Sequence, residues 1–283
     1  MFVLLMVATP AAAQEGPNVI PVLASSELAV GPNRFLFSLT DREGTLLAAP
    51  DVAVQLSFFD EAADPEVVAF ESPARFLWAI EDVRGLYAAD AEFPHAGRWG
   101  TRFDVTFPDG RAETARVDYD VQETSSTPAI GSPGPAVDSP TAADVGGDLS
   151  QISTDTDPVE RFYELSIGDA MTAGVPAIIA FMTPAFCQSA TCGPTLEKVK
   201  EVAADHPEVN VVHVEPYVMA VQDGGLQPVL SAEGYLQAAP WTEAWGLRTE
   251  PFVAVVDAAG NVQAKFEGAI TAEELEAALD ALA

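Results

Sequence analysis

A stretch rich in proline, glycine and serine divides this chain, and it limits the available folds more than any other feature. It runs from residue 123 to 158 and carries Ser125-Ser126-Thr127-Pro128, Gly131-Ser132-Pro133-Gly134-Pro135 and Asp138-Ser139-Pro140-Thr141. Such a composition builds no core of its own, so a domain boundary belongs there. The chain has 283 residues, enough for two ordinary domains, and 48% of them are hydrophobic, which excludes disorder throughout. The expected organisation is a signal peptide over 1–13, a first domain over 19–122, the linker over 123–158 and a second domain over 159–283.

Before the linker the pattern is that of short strands. Phe35-Leu36-Phe37-Ser38-Leu39 is an apolar-rich run, Val52 to Phe59 is another with partial alternation, and Gly85 to Phe93 is a third candidate strand. Trp99 to Phe107 and Ala115 to Val121 flank Pro108-Asp109-Gly110 and predict a hairpin. Almost no helical periodicity interrupts them, which points to a β-sandwich of immunoglobulin-like type. Asp60 to Asp82 is less regular and yields no assignment.

After the linker the pattern changes. Tyr163-Glu164-Leu165-Ser166 reads as an edge strand and Ile167 to Ala173 as a short helix. Val175 to Met182 is a nearly continuous apolar run, as expected of a strand buried on both faces. A helix is predicted from Pro194, with apolar positions at Leu196, Val199, Val202 and Ala203. Val209 to Val214 is a strand, and residues 218–240 form an irregular insert. Phe252 to Val256 and Val262 to Phe266 form a hairpin. Thr271, with Glu274 in the reciprocal position, caps a last helix.

Phe2 to Ala8 form a short apolar core, broken by Pro10 and followed by Ala11-Ala12-Ala13, the small-residue pattern of a cleavage site. The protein is therefore expected to be exported, to a periplasmic or extracellular location. The run is too short to span a bilayer, so no stable membrane insertion of the mature chain is expected. A formal net charge of -30 repels phosphate backbones, which excludes nucleic acid as a partner class.

Cys187 and Cys192 are the only cysteines. In an oxidising compartment two close thiols are free to pair. They lie between the buried strand and its helix, where unpaired amide donors favour the reactive thiolate. Redox work by this pair and a purely structural disulfide, in a binding module without enzymatic activity, both fit the pattern. No phosphate loop, serine triad or zinc tetrad is present, and no cofactor is expected.

The strand and helix order of residues 160–283, with Cys192-Gly193-Pro194 at the head of a helix and Glu250-Pro251 before the late hairpin, resembles the thioredoxin-like superfamily. The resemblance implies thiol-disulfide exchange with extracytoplasmic thiol proteins or a membrane reductant, a disulfide between Cys187 and Cys192, and a cis-proline at Pro251 beside them. Thr195 stands where that family has its resolving cysteine, and Ala180 where it has a buried aspartate. The four-residue spacer, with Thr183-Pro184 before it, is also similar to the bacterioferritin-comigratory peroxiredoxins. That resemblance makes Thr183 and Arg248 candidates for peroxide activation. Copper-delivery proteins of the same class use two thiols and a distant histidine, for which Cys187, Cys192 and His213 are the candidate ligands.

Overall fold

The computed structural model describes residues 18–222 and 224–282. The signal peptide assigned to residues 1–13 lies outside them. Two regions are present, a mostly-β region over about 20–121 and a mixed α/β region over about 142–280.

The β region holds eight strands: β1 (Ile20–Leu23), β2 (Gly31–Thr40), β3 (Ala53–Asp60), β4 (Val68–Pro73), β5 (Arg75–Ile80), β6 (Arg84–Phe93), β7 (Gly97–Thr106) and β8 (Ala112–Val121). They form two four-stranded sheets, ordered β1-β2-β6-β5 and β4-β3-β7-β8. Every pairing between them is antiparallel. One core joins the sheets. Alternate residues Phe35, Phe37 and Leu39 of β2 meet Val54, Leu56 and Phe58 of β3 and Phe103 of β7. Phe35 and Phe58 meet edge to face at 5.4 Å. The β7–β8 hairpin forms as expected. The segment that yielded no assignment contains β4 and β5, which belong to different sheets and are separated only by Ala74.

The α/β region contains α1 (Ile167–Thr172), β9 (Ala177–Phe181), α2 (Cys192–Asp205), β10 (Asn210–Val214), β11 (Met219–Gln222), β12 (Gly225–Pro228), α3 (Pro240–Ala244), β13 (Phe252–Val256), β14 (Val262–Glu267) and α4 (Ala272–Asp280). Its sheet has the order β10-β9-β13-β14. β9 pairs parallel with β10 and antiparallel with β13. β9 and β13 are buried at every position, which accounts for their unbroken apolar sequence. One face packs against α2 and α4 through Leu196, Val199, Leu275 and Leu279. The other packs against α1 and Trp245. The Thr271–Glu274 capping box forms as read.

Three expectations need correction. Tyr163–Ser166 is not an edge strand: a 3-10 turn over Glu160–Tyr163 buries Phe162 and Tyr163, and Ser166 caps α1. Helix α2 starts at Cys192 rather than Pro194, so the proline stands third in the first turn, where an amide has no intrahelical partner anyway. The insert over 218–240 is not irregular throughout, since β11 and β12 form an antiparallel hairpin within it.

Residues 123–158 run along the α/β region. Gly131 N–H donates to the Val262 carbonyl at 2.7 Å and Val262 N–H to the Ser132 carbonyl at 2.9 Å. The Trp245 indole N–H donates to the Pro135 carbonyl at 3.1 Å. Ala142, Leu149 and Ile152 cover one side of the α2 core. The segment builds no core but covers one that already exists.

The two regions meet through the outer face of the first β sheet, where Leu36, Leu77, Ala79, Leu86 and Ala88 pack with Ala269. The Arg34 guanidinium grips the Glu274 carboxylate with two bonds of 2.9 Å and also reaches the carbonyls of Glu267 and Ala269. Glu267 sits in the same seam, its carboxyl pushed above the ordinary range by burial, against the pull of the Ser26 hydrogen bonds and Lys265. A carboxyl whose folded pKa lies above its unfolded one binds more protons when folded, so stability falls as pH rises through that window. Glu267→Gln should therefore raise the melting temperature at pH 7 and give no gain near pH 4. Equal effects at both pH values would contradict this assignment.

Candidate functional site

The chain leaves the sheet after β9 through Met182 and Thr183, and turns back at Cys192 into α2. The loop between carries Cys187, half-buried, whereas Cys192 is fully buried in the first turn. Both are free thiols. The first amides of a helix have no intrahelical acceptor. Here the Cys192 N–H donates to the Cys187 sulfur at 3.2 Å, and the Ser189 hydroxyl lies 3.2 Å from the same sulfur. The Cys187 thiol is accordingly held down to about 5, chiefly by the hydrogen bond from Cys192, then by Ser189 and the amides of Cys192 and Thr191, against its burial. The Cys192 thiol is pushed up, because it donates to Cys187 and is buried. One sulfur is thus prepared as thiolate and the other is kept as thiol.

Glu250 completes the cluster. Donor atoms of Cys187, Cys192 and Glu250 all lie within 4.8 Å of one another. Burial, assisted by the Cys187 charge, raises the Glu250 carboxyl above its ordinary range. The Tyr217 hydroxyl donates to it at 2.6 Å and fixes its orientation. The Glu250–Pro251 peptide is cis, as the resemblance implied, and leads into β13 beside the thiol loop.

The other candidates are distributed as follows. Thr183 is fully buried, and its amide faces the Cys192 sulfur. Its hydroxyl lies near the Glu215 carboxyl but makes no hydrogen bond of good geometry. Arg248 is not at the thiols. It is half-exposed and its Nε lies 3.3 Å from Glu27 of the β region. His213 is fully buried in β10, with one ring nitrogen 2.7 Å from the Tyr163 hydroxyl and the other 3.1 Å from the Met182 carbonyl. Burial lowers it to about 4, and both nitrogens are engaged, so the third donor near the thiols is Glu250 rather than His213. His95 and His206 are taken up by Asp60 and by Glu208 and Glu276.

Sequence reasoning missed Glu250 as a donor, although an acidic residue directly before the strand-entry proline was the available signal. It also missed Glu215, a buried carboxyl at the end of β10 that accepts from Thr154 N–H and Oγ1 at 2.6 and 2.7 Å. A cleft of about 630 Å3 beside the loop is lined by Ala185, Phe186, Thr154 and Leu226, and gives the loop a solvent side. A wider cleft of about 1380 Å3 follows the seam between the regions, lined by Arg34, Lys265 and Glu267. Within it Arg34 is paired with Glu274, and Lys265 donates to the hydroxyls of Ser125 and Thr127.

No family model matches the chain, and no curated protein matches it. Among solved structures, a DUF4426 family protein from Pseudomonas aeruginosa PAO1 is similar at 13% identity and a TM-score of 0.25, over 34% of this chain and 68% of that one. The PmoD soluble domain from Methylocystis sp. ATCC 49242 (Rockwell) is similar at 15% identity and a TM-score of 0.25, over 36% and 90%. MtrC from Shewanella baltica OS185 is similar at 10% identity and a TM-score of 0.26, over 41% and 24%. Likeness at this level carries no argument about fold or function.

Among the described residues no helix is long and apolar enough to cross a membrane.

Proposed function

We propose that this chain is a metal-binding protein that carries a copper ion between the thiols of Cys187 and Cys192, with Glu250 as third donor. The observation that carries the reading is the convergence of those three donors within 4.8 Å of one another. Two cysteine sulfurs suit Cu+, the soft ion of the first-row series, with Cys192 giving up its proton when the ion binds. Zn2+ accepts the same donor types and is the competitor to be separated from it. The sheet order and the helix that follows the thiol loop support a thioredoxin-like reading of the α/β region. Two antiparallel sheets around one core support an immunoglobulin-like reading of the β region. The leader-like residues Phe2 to Ala13 support export. The test is a titration of the fully reduced protein with Cu+ and with Zn2+ under a competing chelator. The expected result is saturation at one Cu+ per chain, with Cu+ held more tightly than Zn2+. No stable complex with either ion would eliminate the reading.

A second reading, thiol-disulfide exchange, is favoured by the placement of the Cys187 sulfur on the Cys192 amide with a second thiol behind it. The Cys187 thiolate would attack a substrate disulfide, forming a mixed disulfide and expelling one substrate thiolate. Cys192, once deprotonated, would attack the Cys187 sulfur and release the second, leaving the substrate reduced and the pair oxidised. Partners would then be extracytoplasmic thiol proteins or a membrane reductant. A reduction potential above roughly -300 mV is expected of a working pair, and a lower value would leave a structural disulfide. The peroxidase variant loses support, because Arg248 faces Glu27.

A further inference from the structure

Arg84 opens β6, directly after the turn that joins it to β5. Its Nη1 donates to the Ser189 carbonyl at 2.8 Å, across 105 positions of sequence. That carbonyl belongs to the peptide between Ser189 and Ala190, in the loop that separates the two thiols. Ala190 has φ +60°, a left-handed conformation that is unfavourable for a residue with a Cβ. A donor on the Ser189 oxygen selects the peptide orientation that this conformation requires. The same loop places the Ser189 hydroxyl 3.2 Å from the Cys187 sulfur and 2.7 Å from Thr191 Oγ1. The β5–β6 hairpin cannot drift away from the loop. β5 lies against α2, the Leu36–Leu77–Leu86 face is buried on Ala269, and Arg34 holds Glu274.

We propose that Arg84 is a positioning residue of the thiol site, and that the β region is thereby part of that site rather than a separate module. Arg84 fixes the Ser189–Ala190 peptide, and the fixed peptide holds the Cys187 sulfur on the Cys192 amide and towards Glu250. The inference rests on the reading of Cys187, Cys192 and Glu250 as a functional cluster.

The experiment compares full-length wild type, Arg84→Ala and Arg84→Lys, with Arg75→Ala as a control that removes an exposed ion pair to Asp90 on the same sheet. Amide hydrogen exchange is followed at residues 189–192, and Cu+ affinity is measured on the reduced proteins. A charge-assisted hydrogen bond to an exposed loop, once removed, should speed exchange roughly three- to tenfold and weaken Cu+ by a similar factor. Arg84→Lys should recover most of both, and Arg75→Ala should change neither. Wild-type exchange in Arg84→Ala would overturn the inference, as would equal losses in the control. If the wild type binds no copper, the metal reading fails, and loop exchange with its lysine rescue decides the role of Arg84 by itself.

Discussion

Trp245→Ala should cost the protein about 3–5 kcal/mol of stability, the range for removing a large buried aromatic side chain. The indole is fully buried and lies on the α1 side of the sheet with Phe181, at 5.5 Å between ring centres. Its N–H is bonded to the Pro135 carbonyl. At Gly134 a Cβ would stand 2.8 Å from the indole, so the 123–158 segment runs flat against the ring. One residue therefore ties three parts together, and its loss leaves a cavity and also frees the segment. Urea unfolding followed by circular dichroism checks it. A loss below about 1 kcal/mol would show that the segment and sheet do not depend on this contact.

Cys192→Ser should lower Cu+ affinity of the reduced protein at least about a hundredfold. Changes one shell further out already cost 10–100-fold in metal sites, and this one removes a donor itself. Serine is close in size, so the packing of the first turn of α2 is retained and a failure to fold is not expected. Glu250→Gln should cost less, about tenfold, because a neutral amide still offers an oxygen where Tyr217 holds the side chain. Competition against a colorimetric Cu+ chelator checks both variants. Equal affinities for the wild type and Cys192→Ser would remove the buried thiol from the site.

The parts of the fold legible in the sequence were those whose burial is written in a simple period. The apolar run of β9 and the reciprocal Thr271–Glu274 cap are of this kind. Phe35 to Leu39 was legible as a strand, but its lack of alternation had a second cause. Leu36 packs with Ala269 of the α/β region, and Ser38 is buried with its hydroxyl donating to the Gly85 carbonyl, so both sides of β2 are covered. That contact spans the whole chain and no local pattern reports it. β4 and β5 stayed hidden because Pro73 ends one and a single residue later the other starts in a different sheet.

At the site, the cysteines and Pro251 were legible from their place between elements. Glu250 was visible only as the residue before a proline. Its value as a donor comes from tertiary folding, which buries it beside two sulfurs that lie about sixty residues away. His213 misled for the converse reason. Its strand was read correctly, but its side chain is committed to Tyr163 and Met182.

X-ray absorption of the copper-loaded, reduced protein tests the central claim most directly, because it counts the donors on the ion itself. The account predicts two sulfur scatterers and one oxygen, with the oxygen contribution altered in Glu250→Gln and one sulfur lost in Cys192→Ser. A spectrum with no sulfur in the first shell, or one unchanged by Cys192→Ser, would contradict it.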